Sequence, residues 1–224
     1  MVEALFCSNS SRIGRRERIS AKVESVNEPH MRILFMGDEL VAGLGDPRAL
    51  GWTGRVMART SNEPPIMWMN LAVPGEDTAR LAGRWEEEAK RRIAPDIDCR
   101  LVIGLGSHDL DTSQTLARAR LHLANLIDSA ERIRLRTFVV GPPPRRDISK
   151  KIQADLTRAY SDVCARRGIP FVDTFTPLAA HEQWNTDMTV SSSYTPRQAG
   201  YGLMAWLVLH NGWHEWLGVP PASA

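Results

Sequence analysis

Two pairs of adjacent residues combine chemistry with proximity: Asp38-Glu39 and His108-Asp109. A carboxylate beside an imidazole is an acid/base pair. Neighbouring carboxylates raise the imidazole pKa, and crowding raises that of one carboxyl. Such a set can supply a general base and a general acid near neutral pH. A carboxylate can also activate water or attack an electrophilic carbon itself. The same residue types are hard ligands suited to Mg²⁺, Mn²⁺ or Zn²⁺. Successive side chains on a strand end point to opposite faces, which keeps Asp38 and Glu39 from sharing one ion, so no metal is expected. Each residue also has a plain structural use. Asp38 and Asp109 can brace their turns through backbone hydrogen bonds, and Glu39 with His108 can form an ion pair that closes a pocket.

The elements around these residues alternate. Arg32–Met36 is a compact apolar run ended by Gly37 and reads as a buried strand. Ile66–Ala72, Arg100–Leu105, Leu135–Val140 and Ile169–Phe175 read as four more. Helices are expected over Trp52–Arg59, from an Asp77 or Thr78 cap to Ile93, over Thr112–Ala130, over Ile148–Arg167 with Gly168 just past its end, and over Pro196–Asn211. Residues 176–195 read as irregular. Five apolar strands alternating with helices imply a parallel sheet covered on both faces, with the site beyond the strands' carboxyl ends. Residues 1–30 read as a flexible or weakly helical leader, 31–218 as one domain and 219–224 as a tail.

Composition narrows the function classes. The 224 residues carry 28 Lys+Arg against 26 Asp+Glu, a net charge of +2, too little to imply a polyanion partner. No basic stripe interleaved with aromatics is present, so nucleic acid is not an expected partner; Trp206, Trp213 and Trp216 read as core and end-capping aromatics. No apolar run approaches the ~18–20 residues of a membrane span. Cys7, Cys99 and Cys164 are odd in number and far apart, which fits a reducing cytoplasm. Neither GxxxxGK[ST] nor GxGxxG occurs, and no cofactor is implied. A small-molecule ligand or substrate is the expected partner, and no feature specifies an oligomeric state.

Four blocks stand in order: Gly37-Asp38-Glu39-Leu40, Asn70 to Gly75, Gly104-Leu-Gly106-Ser107-His108-Asp109, and Ser192-Ser-Tyr194-Thr195-Pro196. Together they resemble the SGNH (GDSL) hydrolases from Met31 to about Leu217. The pieces Gly45-Asp-Pro47, Gly51-Trp52, Gly54-Arg55-Val56, Asp98-Cys-Arg100 and Gly141-Pro-Pro143 are similar to a branch of small actinobacterial members. The resemblance implies a flavodoxin-like three-layer α/β/α fold with a five-stranded parallel sheet in order 2-1-3-4-5. That order brings Asp38, Glu39, His108 and Asp109 to one pocket.

The resemblance also implies what has changed. The family's nucleophilic Ser position holds Glu39, its oxyanion Asn holds His108, and its Asp-x-x-His holds Ser192 and Thr195. Gly75 keeps its place as an oxyanion donor. Serine acyl transfer needs a nucleophile, a base to take its proton and donors for the oxyanion. Ordinary esterase activity is therefore expected to be absent, or within about 10³-fold of background. The leading reading is a repurposed enzyme using Glu39 and His108, with Asp38 and Asp109, on a small organic molecule: cyclisation, elimination, isomerisation or epoxide opening. Gly75, Ser107, Ser192, Tyr194 and Thr195 would line the binding side. The alternatives are a non-catalytic protein that binds a ligand or partner, and an esterase with a triad rebuilt from His181, Asp187 and nearby serines. His181 reads more simply as a solvated loop histidine. Arg145 and Arg146 can meet an anionic substrate group, although a solvated loop is the simpler reading.

Overall fold

The computed structural model describes residues 29–106, 108–111, 114–191 and 195–222. Strands β1 (Met31–Gly37), β2 (Ile66–Asn70), β3 (Asp98–Gly104), β4 (Arg136–Val140) and β5 (Phe171–Val172) form one parallel sheet in the order β2-β1-β3-β4-β5. Helices are α1 (Glu39–Ala42), α2 (Gly51–Met57), α3 (Thr78–Lys90), α4 (Leu116–Arg132), α5 (Lys150–Ala165), α6 (Phe175–Leu178), α7 (Glu182–Val190), α8 (Gln198–Val208) and α9 (His214–Leu217).

The central strands are apolar on both faces because both faces are covered. Ile33, Phe35, Val102, Phe138 and Val140 pack under α2, α8 and α9, where Trp52, Tyr201, Trp213 and Trp216 are buried. Leu34, Met36, Leu101, Ile103 and Val139 pack under α3, α4 and α5, against Leu81, Trp85, Leu123 and Tyr160. This is the expected three-layer α/β/α fold. Asp77 caps α3 by accepting from Arg80 N at 2.8 Å, and Gly168 follows α5 with φ +64°.

Several segments differ from the sequence reading. Strand β5 has two residues rather than seven, and Phe175 instead begins α6. Residues 176–190 are largely helical: Trp184 and Met188, four apart, bury one side of α7, a stripe too short to stand out in sequence. The expected helix 196–211 is α8 followed by a π turn, Leu209–Trp213, where Asn211 and Gly212 leave helical geometry. Trp213 and Trp216 are core residues, but Trp206 is 56% exposed and stacks on His210. Residues 219–222, expected as a tail, lie along the end of α2. Val219 is buried there, Ser61 N donates to Pro220 O, and Ala222 N donates to Arg59 O. The leader proposed for 1–30 falls almost wholly outside the described residues.

Candidate functional site

The register Gly37↔Gly104 sets the ends of β1 and β3 side by side, so the residues that follow them share one rim. At the first end, Asp38 is extended (φ −96°, ψ −159°) and caps α1: its Oδ1 accepts from Leu40 N at 2.9 Å. Glu39 is the first helical residue. At the second end the chain passes Gly106 and enters a 3₁₀ turn, His108–Leu110. Gly106 is required for space, because a Cβ there would lie 1.5 Å from Asp38 Oδ2.

His108 Nε2 and Glu39 Oε1 are 2.7 Å apart, and the other Glu39 oxygen, Oε2, accepts from Gly75 N at 2.7 Å. Asp38 Oδ2 lies 3.7 Å from His108 Nε2. Nδ1 on the other side of the imidazole meets Asp111 Oδ2 at 3.1 Å. In a 3₁₀ turn, side chains three apart eclipse, which places Asp111 on the same edge as His108. Asp111 in turn accepts from Arg145 Nη1 at 2.5 Å, and Arg145 also grips Asp147 through Nε and Nη2. Arg145 is thus a buried part of the network rather than a solvated loop residue, whereas Arg146 is exposed and reaches Thr189 Oγ1.

Two expected members are placed elsewhere. Asp109 faces away from the cleft. It accepts from Thr78 N and Gln114 Nε2 at 3.0 and 2.8 Å, and from the Thr78 and Tyr160 hydroxyls, so it ties β3 to α3 and α5. The third carboxylate on the imidazole is Asp111, not Asp109. Thr195 is buried, its hydroxyl packed at Gly45, where a Cβ would lie 2.6 Å from Oγ1. Ser107, Ser192 and Tyr194 lie outside the described residues. Of the partners considered for a rebuilt triad, His181 and Asp187 share no hydrogen bond or ion pair among the described residues. His181 stands exposed at the start of α7, and Asp187 Oδ2 holds Arg197 N and Gly200 N at the start of α8.

The charges follow from these contacts. Burial disfavours the Glu39 anion, but the His108 hydrogen bond and the Gly75 N–H outweigh it and lower its pKa to about 2. Glu39 raises His108 to about 9 against the opposing effect of burial, with help from Asp38 and Asp111. Burial, then the Glu39 charge, pushes Asp38 up to about 7. Glu39 and His108 are therefore an ion pair at neutral pH.

The cleft over this pair is small. Its cavity volume is about 10 Å³, the space of about one water molecule, and it is walled by Leu40, Pro143, Pro144, Arg145 and Trp184. The Trp184 indole is fixed by its N–H to Pro144 O at 3.1 Å. Asp111 is the member of this network missed in sequence, and the His-x-x-Asp spacing was the available signal for it. Arg145 was weighed in sequence as a contact for an anionic group, not as the partner that clamps Asp111.

A family model described as the GDSL-like Lipase/Acylhydrolase family matches residues 35–203. No curated protein matches the chain. Among solved structures, a lipase/acylhydrolase from Enterococcus faecalis is similar at 21% identity and TM-score 0.68, covering 87% of this chain and 100% of that one. An esterase from Pseudoalteromonas sp., inhibited by monoethylphosphonate, gives 17% identity, TM-score 0.66 and coverages of 84% and 98%. A catalytic mutant of an acetylxylan esterase from Geobacillus stearothermophilus gives 18%, 0.66, 83% and 95%. At these identities the likeness carries the fold alone. The family match, however, spans most of the chain, including the end of β1, all of β3 and the turns that carry Glu39 and His108. On that ground the chain belongs to the GDSL-like lipase/acylhydrolase family.

Proposed function

We propose that this chain is a GDSL-fold protein that does not perform serine acyl transfer and instead binds a small ligand in the cleft over Glu39 and His108. One observation carries the proposal: the Glu39 carboxylate is seated on the Gly75 N–H while pairing with His108. On the family resemblance, Gly75 is an oxyanion donor and Glu39 stands in the nucleophile's place. A donor that already holds an anion cannot stabilise charge developing on a substrate carbonyl. A carboxylate there also repels that charge. The residues at the family's acid and base positions, Ser192 and Thr195, supply no imidazole. The cytoplasm is part of the same proposal: the free thiols Cys99 and Cys164 are buried, and burial pushes Cys164 up to about 12, an inert form.

A second reading has its own support. Glu39 and His108 both line the cleft, so the pair can serve as base or nucleophile and acid in chemistry that uses no serine nucleophile, activation of a water included. That reading requires Glu39 to leave Gly75 when substrate enters.

The test is hydrolysis of p-nitrophenyl acetate by the purified full chain. The expected result is no saturable turnover above buffer. Saturable turnover that disappears in Glu39→Gln would favour the second reading over the first; saturable turnover retained in that variant would contradict both.

A further inference from the structure

We propose that Asp38, Glu39 and His108 form a three-ligand site for a divalent first-row transition-metal ion of the Zn²⁺ or Mn²⁺ class. The inference deepens the binding reading above by naming the chemistry of the ligand.

The first support is convergence. One donor atom from each residue lies within 4.8 Å of the other two, with His108 Nε2 2.7 Å from Glu39 Oε1 and 3.7 Å from Asp38 Oδ2. An ion with bonds of about 2.0–2.2 Å holds its ligand atoms about 3 to 3.6 Å apart. The two His108 separations bracket that range, each within a few tenths of an ångström of it. The alternation rule that argued against a shared ion does not apply here. Asp38 is an extended helix cap and Glu39 the first helical residue, and the break in backbone conformation between them turns both carboxylates inward.

The second support is independent. Asp38 is 1% exposed, and its Oδ2 has no hydrogen-bond partner among the described residues. A buried carboxylate oxygen without a donor is costly. Gly106 provides the space that lets it point at His108. A metal ion is a group that satisfies such an oxygen without needing a donor hydrogen.

The third support is that each ligand is held from behind. Asp38 is fixed through Oδ1 by Leu40 N, Glu39 through Oε2 by Gly75 N, and His108 through Nδ1 by Asp111. Metal-binding histidines characteristically direct their second ring nitrogen to a carboxylate, which sets the tautomer and the ring orientation. Asp111 is itself clamped by the buried Arg145. Two carboxylates and one imidazole suit Zn²⁺, Mn²⁺ or Fe²⁺ better than Ca²⁺, which prefers an all-oxygen shell of six to eight ligands. On coordination the ion takes the place of the proton on Nε2, which leaves to solvent.

The test uses the full chain stripped with EDTA and then dialysed against ZnCl₂ or MnCl₂. The expected result is one ion per chain, with saturable binding weakened at least about tenfold in Asp38→Asn and in Glu39→Gln. Asp111→Asn, a positioning change, should weaken binding about 10- to 100-fold while the metal-free protein keeps the wild-type circular dichroism. Mn²⁺ should broaden the His108 imidazole resonances before those of His181 and His210. The inference is overturned if neither metal binds saturably below about 1 mM, if both ligand variants bind as tightly as wild type, or if Mn²⁺ broadens His181 or His210 first. Esterase activity of the metal-free chain is a separate measurement, so the binding reading and the metal assignment can fail independently.

Discussion

Glu39 sits where three constraints meet: the start of a helix, the N–H of Gly75 and the imidazole of His108. Its charge holds the proton on His108, so in metal-free protein Glu39→Gln should lower the His108 pKa from about 9 toward the ordinary value near 6.5. An NMR titration of the imidazole reads this directly; an unchanged value would mean that Asp38 and Asp111 suffice. Restoring a hydroxyl alone should not restore chemistry. In Glu39→Ser, p-nitrophenyl acetate hydrolysis is expected to stay within about tenfold of buffer, because the family's base position holds Thr195 and the nearby imidazole of His108 stands in the place of an oxyanion donor, with no Asp-x-x-His base behind the serine. At this scale the sequence was informative about types and less so about directions. Asp38, Glu39 and His108 were legible because they follow two strands that end on the same rim. Asp109 was misassigned because its neighbour's role said nothing of its own direction. In the 3₁₀ turn it points back under α3, toward Thr78 and Tyr160, while Asp111 comes round to the imidazole.

Elements bring these residues together, and the loop between α1 and α2 shows how. Asp46 accepts from Arg48 N, Leu50 N and Gly51 N, and pairs with the buried Arg55 of α2. One carboxylate thus closes the loop and satisfies the first N–H groups of α2. Asp46→Asn keeps the shape but leaves Arg55 buried without its counter-charge. Urea denaturation at pH 7 should show a loss of about 3 kcal/mol. The pH dependence has a defined sign. Burial opposes the Asp46 anion, but Arg55 and the backbone N–H groups outweigh it and depress its pKa from 3.8 to about 2. Its contribution is therefore fully present above about pH 4 and is lost as pH falls through about 2. The gap between wild type and Asp46→Asn should narrow over that interval; a gap constant from pH 7 to pH 2 would show that the charge is not the cause. The cap of α3 and the glycine after α5 were readable because capping is local. Helix α7 was not, because its burial depends on one tryptophan meeting Pro144, forty residues away.

For the molecule as a whole, the sheet order was readable because alternating apolar strands and helices leave few arrangements that cover both faces. The packing at its carboxy-terminal end was not, since it depends on contacts far apart in the chain. Trp213, fully buried, stacks on Phe35, meets Phe138 and Trp216 edge-on or tilted, and donates its indole N–H to Thr60 Oγ1. It joins β1, β4, α9 and the end of α2. Trp213→Ala should cost about 3–5 kcal/mol in urea denaturation, and a loss below about 1 kcal/mol would show that this corner is not part of the cooperative core. The same framework holds the rims of β1, β2 and β3 in the arrangement that seats Glu39 on Gly75. The central claim is that this seat replaces acyl-transfer chemistry. It is tested most directly by incubating the full chain with an ethyl fluorophosphonate, which phosphonylates an activated nucleophilic serine, and measuring intact mass. The account predicts an unmodified mass. A stoichiometric adduct on one serine would contradict it.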